Sequence, residues 1–524
     1  MSSARKRPLL FAALLLAASL AGAPIASGQH PSAPSEPDSA PTQALAQEEP
    51  KAGQEGKKNP SEEPQQGQKN GKKPSTEKGN EGKKNPDEGE KKEPSAEDES
   101  KDKEKNGDKD KDKGKETWYS VHGQGTIVSQ GNWKFRSPYE GTNSFRSILN
   151  YRTSETATLF LAAGVCEGGS IVFNPEVSGG RGLSDVFGIA GFPNGEITRV
   201  GKVEPTPYFA RLYYQQVFGL GGDQEKVEDA SNVIAGMRDV ERITVRLGKM
   251  AAADQFDDNA YSHDPRTQFL DWAIMYNGAW DYPANVRGYT YGATVEFNEK
   301  DWALRYGIFG EPSVANGQEI DPRFLQANGH ILELEERYTV EEHPGKLRLM
   351  AYLNNAHMGN YRVSLREMPS DPDIALTRAY RAKYGFGVNV EQEITKDLGA
   401  FARIGWNDGH TESWAFTEID ATLAGGVLLK GTCWSRPQDQ VGFAGAINGI
   451  SNGHRDYLAA GGLGFILGDG RLRYGPEEIL EAYYNWELRK GINVTFDFEG
   501  VNDPGYNRDR GPIAIAAIRV HFEY

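Results

Sequence analysis

Ile513-Ala514-Ile515-Ala516-Ala517-Ile518-Arg519-Val520-His521-Phe522-Glu523-Tyr524 decides how the rest of the chain is read. Ala514, Ala516, Ile518, Val520, Phe522 and Tyr524 fall on one side of an extended strand, and Arg519, His521 and Glu523 fall on the other. A period of two without a slip marks a strand whose two faces meet different surroundings. A soluble sandwich also alternates. A charged inner face ending in an aromatic residue suits a strand with lipid outside and an aqueous lumen behind it.

The same alternation recurs upstream. Tyr289, Tyr291, Ala293, Val295 and Phe297 oppose Thr290, Thr294 and Glu296, and after a short polar turn Trp302, Leu304, Tyr306 and Ile308 oppose Arg305. Leu332, Leu334 and Tyr338 oppose Glu333, Glu335 and Arg337, while Ala400, Ala402, Ile404 and Trp406 oppose Arg403 and Asn407. A sandwich must fill its interior with apolar side chains, whereas a barrel that encloses water need not. Rows this charged fit the second case. Short turns are expected at 167–169, 298–301, 395–397, 469–470 and 489–491, and long loops near 254–285, 310–329, 355–378 and 500–512. Outer-membrane barrels have this asymmetry of tight periplasmic turns and long external loops. The predicted fold class is therefore all-β: a transmembrane antiparallel β-barrel over residues 117–524, with about 16 strands at roughly 25 residues per strand and connection. Tyr338, Trp302, Tyr384, Trp406, Trp486 and Tyr524 lie near strand ends, where interfacial aromatic girdles belong.

Residues 1–28 read as a secretory signal peptide: Arg5, Lys6 and Arg7, an apolar run from Leu9 to about Ala23, then Ala26, Ser27 and Gly28. The run is shorter than the roughly 20 residues a spanning helix needs. Residues 29–116 hold 18 Lys and 22 acidic residues with almost no apolar ones. Such a segment cannot bury enough surface to offset chain entropy, and disorder is expected. It reads as a periplasmic tether, with contact between its lysines and an anionic cell-wall polymer as the sharper possibility.

The chain's net charge of −15 argues against nucleic-acid binding. Cys166 and Cys433 are the two cysteines, and their separation leaves pairing open. No His-x-x-x-His or cysteine cluster points to zinc, and no cofactor or metal is expected. Asp254, Asp257 and Asp258 lie close enough in sequence to hold Ca²⁺ on a loop. The nine histidines show no spacing that calls for a hydrolytic triad, so the chain does not read as an enzyme.

Several stretches resemble the carbohydrate-selective porin family of bacterial outer membranes. They are Phe192-Pro193-Asn194-Gly195-Glu196, His263-Asp264-Pro265-Arg266-Thr267-Gln268-Phe269, Gly278-Ala279-Trp280-Asp281-Tyr282-Pro283 with Arg287-Gly288-Tyr289-Thr290, Gly461 to Gly464, Leu467 to Gly470, and Asn502 to Pro512. They run in order from about Tyr119 to Tyr524 and leave the tether outside. The resemblance implies a 16-stranded passive channel for monosaccharides and similar small polar solutes, embedded in outer-membrane lipid as a monomer or homotrimer.

A sugar channel needs aromatic faces for pyranose C–H surfaces and charged or amide groups for hydroxyls. The stretch 254–287 supplies both and is expected to fold into the lumen as a constriction, carried by Asp264, Arg266, Trp272, Trp280, Asp281 and Arg287. Arg266 and Arg287 facing Asp264 and Asp281 would set a transverse field, with Trp280 as a stacking face. Arg246, Glu296, Arg305, Glu333, Glu335, Arg337 and Arg403 are secondary lumen-facing candidates.

Overall fold

The computed structural model describes residues 117–197 and 203–524. The signal peptide and tether expected at 1–28 and 29–116 lie outside the described residues. Along the described chain run β1 (Tyr119–Asn132), β2 (Asn150–Cys166), β3 (Gly169–Gly180), β4 (Thr206–Gly219), β5 (Gln224–Val227), β6 (Gly236–Asp239), β7 (Arg242–Met250), β8 (Thr290–Asn298) and β9 (Trp302–Gly310). They continue with β10 (Asn328–Val340), β11 (His343–Met358), β12 (Ala379–Glu393), β13 (Leu398–Asn407), β14 (Ala421–Gly431), β15 (Arg436–Gly449), β16 (Glu477–Arg489), β17 (Ile492–Asn502) and β18 (Ile513–Glu523). Sixteen of these, all but β5 and β6, close into one antiparallel barrel in which β1 pairs with β18, Gln124 opposite Glu523 and Asn132 opposite Ile515. Closure leaves no sheet edge unpaired, which is what a hydrocarbon environment demands of strands. Among the described residues no helix is long and apolar enough to cross a membrane.

Burial alternates along the strands as the sequence does. On β18, Ile518 and Phe522 are exposed on the outside while Arg519 and His521 are buried within. On β10, Glu333 and Glu335 are buried and the intervening leucine is more accessible. Exposed large apolar side chains such as Tyr291, Phe386, Ile404, Leu423, Phe443, Leu480, Phe496 and Phe498 coat the outer wall.

Short and long connections alternate. The tight turns join β2 to β3, β8 to β9, β10 to β11, β12 to β13, β14 to β15 and β16 to β17 at one end. The β2–β3 turn needs glycine: Gly168 has φ +67°, and a Cβ there would lie 2.2 Å from the Val217 carbonyl oxygen. The 469–470 turn belongs elsewhere, inside the long β15–β16 connection. Asp469 there accepts from Ser144 and Asn507 and sits 3.5 Å from Arg510, so it knits loops together rather than joining strands. One connection at the short-turn end departs from the pattern: between β4 and β7 hangs the separate β5–β6 hairpin.

The inward face is more apolar than the alternation suggests. Ile513, Ile515, Ala517, Ile479, Tyr483 and Val501 point inward and are packed by loops that fold into the lumen. Phe269, Ala273 and Ile274 of the β7–β8 loop, Tyr457 and Leu458 of the helix α3 (Asn452–Ala459; α1 is Trp272–Met275 and α2 Tyr361–Glu367), and Ile466 and Leu467 complete one buried cluster. A second gathers Phe192, Phe256, Trp272, Trp280, Tyr282, Phe309, Tyr352 and Phe416. Loops carry no strand periodicity, so these apolar groups are silent in a two-residue pattern.

Carboxylates dock the loops. Glu481 accepts the Leu270 and Asp271 N–H groups at 2.6 and 3.0 Å, and Glu477 accepts those of Ala190, Gly191 and Gly505. Glu333 takes the Asp257 N–H at 2.8 Å, and Glu391 takes that of Ala260 at 2.9 Å. Each pairing satisfies a main-chain donor that would otherwise be buried without a partner.

Candidate functional site

The β7–β8 loop enters the barrel because its polar groups find partners there. Arg403, fully buried on β13, ion-pairs with Asp257 at 3.1 Å and donates to the Ile274 and Ser262 carbonyls at 3.0 and 2.6 Å. Arg519 donates to the Pro265 and Gln268 carbonyls at 2.7 Å each. Asp271 caps α1, accepting from Ala273 at 2.8 Å. Tyr352 reaches the Ala279 carbonyl at 2.7 Å.

Beside this loop a cavity of about 960 Å³ opens, with walls of two kinds. One is aromatic. Phe192, Trp272, Phe416 and Tyr282 form a continuous stack, with ring centres 5.0, 4.7 and 4.6 Å apart in that order and planes within 25° of parallel. Trp272, Tyr276, Tyr282 and Phe416 line the space.

The other wall is charged. Arg266 donates to Glu196 at 2.7 Å and to Glu176 at 3.4 Å, and the Thr156 hydroxyl also reaches Glu196. Glu176 accepts from Thr158, Tyr208 and Tyr289 as well. Arg211 grips Asp254 through two hydrogen bonds of 2.7 and 2.5 Å. Arg287 donates to Ser178 at 2.9 Å and lies 4.0 Å over the Tyr208 ring. Burial pushes the Asp264 carboxyl up, but the Arg266 charge, the Arg266 main-chain N–H and the Thr267 hydroxyl carry it below the usual range. Glu196 goes the other way: its burial outweighs Arg266 and leaves the carboxyl above its ordinary value.

The structure thus brings Asp264, Arg266, Trp272 and Arg287 to one cavity. Trp280 and Asp281 stand apart from it. Trp280 is 1% exposed and packs 4.9 Å from Tyr282. Asp281 accepts the Trp414 and Ala415 N–H groups at 2.8 and 2.7 Å and faces Lys383 at 3.2 Å. The acids acting on Arg266 are Glu196 and Glu176, which it ion-pairs, and Asp264. Glu196 stands in the stretch Phe192 to Glu196, and Glu176 lies on the inward face of β3 with Val172, Asn174 and Ser178, in the same two-residue alternation as the rest of the wall.

The secondary candidates form a ribbon of alternating charge on the wall. Arg305 bridges Glu296 at 2.6 Å and Glu333 and Glu335 at 3.1 Å, and Arg337 meets Glu335 at 2.8 Å. Arg348 continues it to Glu335 at 2.9 Å and Glu391 at 3.0 Å. Arg246 donates to Gln215 and Gln255. Glu391 falls on the polar face of an alternating strand, as the sequence predicts, whereas Arg348 escaped the sequence reading although it too lies on an inward face. Asp254, Asp257 and Asp258 each face an arginine instead of converging on one another. Among the described residues no group of three or more His, Cys, Asp and Glu side chains is arranged to hold a metal ion. Cys166 and Cys433 are unpaired and exposed.

The family model described as "Carbohydrate-selective porin, OprB family" matches residues 143–524. In the high-pH structure of Pseudomonas putida OprB, the similar fold has a TM-score of 0.59 at 17% identity, covering 78% of this chain and 94% of that one. The outer membrane channel DcaP of Acinetobacter baumannii gives 0.47 at 9% identity, covering 78% and 97%. No curated protein sequence matches the chain. With its closed barrel and a family match across most of its length, the chain belongs to the carbohydrate-selective porin, OprB family, and is an outer-membrane channel for carbohydrates.

Proposed function

We propose that monosaccharides and similar small polar solutes diffuse passively through the cavity beside the β7–β8 loop, between the aromatic stack and the charged wall. The observation that carries this is the meeting of two kinds of group in one space: the stacked aromatic side chains Trp272, Tyr282 and Phe416 line it together with Arg266, Arg287 and Asp264. A pyranose has an apolar C–H face and a rim of hydroxyls, and the two walls answer those two surfaces. Trp280 and Asp281 serve this site by holding the loop. The passage lies within one barrel, so it works in a monomer and equally in a homotrimer. Residues 1–28 are a signal peptide and 29–116 a periplasmic tether, a placement supported by β1 beginning at the short-turn end, where the Trp118 carbonyl accepts from Gly164 at 2.7 Å.

Planar-bilayer recording of the purified full-length protein tests the reading. Monosaccharides should reduce the ion current in a concentration-dependent way and should enter loaded liposomes. Conductance indifferent to every sugar, with no swelling, would overturn it. Deleting residues 29–116 should leave permeation intact.

A further inference from the structure

The β4–β7 connection is the exception among the short-turn connections, which are otherwise tight as outer-membrane barrels require. Its root is a firm hairpin: Glu225 pairs with Arg238 at 2.8 Å and Arg242 at 2.9 Å, and Asp239 accepts the Gly221 N–H at 2.8 Å. Its tip turns sharply between Ala230 and Val233, which exchange main-chain hydrogen bonds of 3.2 and 2.9 Å. Asn232 takes the left-handed conformation there at φ 66°, one that asparagine tolerates better than most residues.

The tip reaches the inner wall. Ser120, 2% exposed, donates to the Ala230 carbonyl at 3.1 Å, and Asn174, fully buried on β3, donates to the Asn232 side chain at 2.6 Å. His122 Nε2 lies 3.2 Å from Asp229 Oδ2. Asp229, Ala230 and Ser231 therefore line the same cavity as Arg266 and Trp272, together with Lys490 and Tyr524 from the short-turn end. Asp229 keeps about half of its side chain exposed while paired with His122.

We propose that this tip is a second selectivity element, a strap inside the periplasmic mouth that presents the Asp229 carboxylate and Ser231 hydroxyl to polyhydroxylated solutes. It rests on the reading of the cavity as the passage. A carboxylate and a hydroxyl side by side exchange hydrogen bonds with vicinal sugar hydroxyls, and a fixed negative charge in a narrow mouth favours cations over anions.

The test uses the full-length protein in planar bilayers. Replacing residues 228–235 by Asn-Gly closes the paired Val227 and Gly236 with a two-residue turn and removes the strap. Conductance should rise about twofold or more, with weaker sugar blockade. Asp229→Asn keeps the strap and should lower the cation-to-anion permeability ratio. Heat-modifiable electrophoretic migration checks that each barrel is closed, and Asp229→Asn decides alone should the strapless chain not fold. Arg266→Ala serves as the reference: if it alters permeation while both strap variants match wild type, the strap proposal falls and the passage stands. If all three match wild type, the passage falls too.

Discussion

Replacing Arg266 by alanine should turn the channel toward cations, by an amount set by what surrounds it. Arg266 is the guanidinium shared by Glu196 and Glu176, and the nearby cavity lining also holds Asp254 and Asp264 against Arg211 and Arg287. Without Arg266 the carboxylates are in clear excess. At about 7 Å in water-like surroundings a unit charge is worth about 0.6 kcal/mol to a passing ion. At 0.15 M salt, where the Debye length is about 8 Å, less than half of that survives. It acts with opposite sign on cation and anion, so the permeability ratio should move about twofold toward cations. Glu196 modulates the outcome. Burial already holds its carboxyl above the ordinary range with Arg266 in place, and without that charge it is held higher still. The shift should be complete at high pH and fade as the pH falls and Glu196 takes up a proton. The assay is the reversal potential across a salt gradient, at two pH values. A ratio unchanged at both would refute the electrostatic role of Arg266.

Three further outcomes are expected. Arg403→Met leaves Asp257 buried without its counter-charge, a loss of about 3–5 kcal/mol; the barrel should unfold at lower temperature with noisier current, and adding Asp257→Asn should recover much of the loss. Trp272→Ala should weaken sugar blockade about fivefold, from about 1 kcal/mol of ring contact, whereas Trp280→Ala should reduce heat stability and leave blockade nearly as it was. His454 is buried, with Asp420 3.2 Å from Nδ1 and Glu418 3.7 Å from Nε2; burial pulls its pKa down, but the two acids carry it above the ordinary value. Its stabilising contribution is full below about pH 6.5 and is lost as the pH rises through the higher folded value. The difference in unfolding temperature between wild type and His454→Asn should therefore shrink from pH 6 to pH 9, and a constant difference would count against the charged imidazole.

The barrel was legible because lipid and lumen impose opposite demands on adjacent residues, and that demand is written into every second position, from Glu333 and Glu335 to Arg519 and His521. The loop interior was not. Phe269, Ile274 and Ile466 sit in irregular segments where no period marks them as buried, and inward Ile513 and Ile515 break the charged row only because those loops cover them. Of the constriction residues, Arg266, Asp264, Trp272 and Arg287 share a cavity, while Trp280 and Asp281 lie outside it, since sequence cannot say which way a loop side chain turns. The strap tip was missed for a related reason: Glu228 to Val233 looks like an ordinary polar turn, and only the fold carries it to Ser120 and Asn174.

The pairing of β1 with β18 has a consequence for assembly. Gln124 meets Glu523 across nearly the whole described chain, a contact of the longest possible range, and such contacts are reached late because the intervening chain must first lose its freedom. Until that seam forms, both outermost strands offer bare amide rows to any neighbouring extended chain. The intermediate on the way to this channel is thus the sticky species. Its hazard is greatest just before completion, and factors that shield free strand ends should influence yield more than those that merely keep apolar side chains covered.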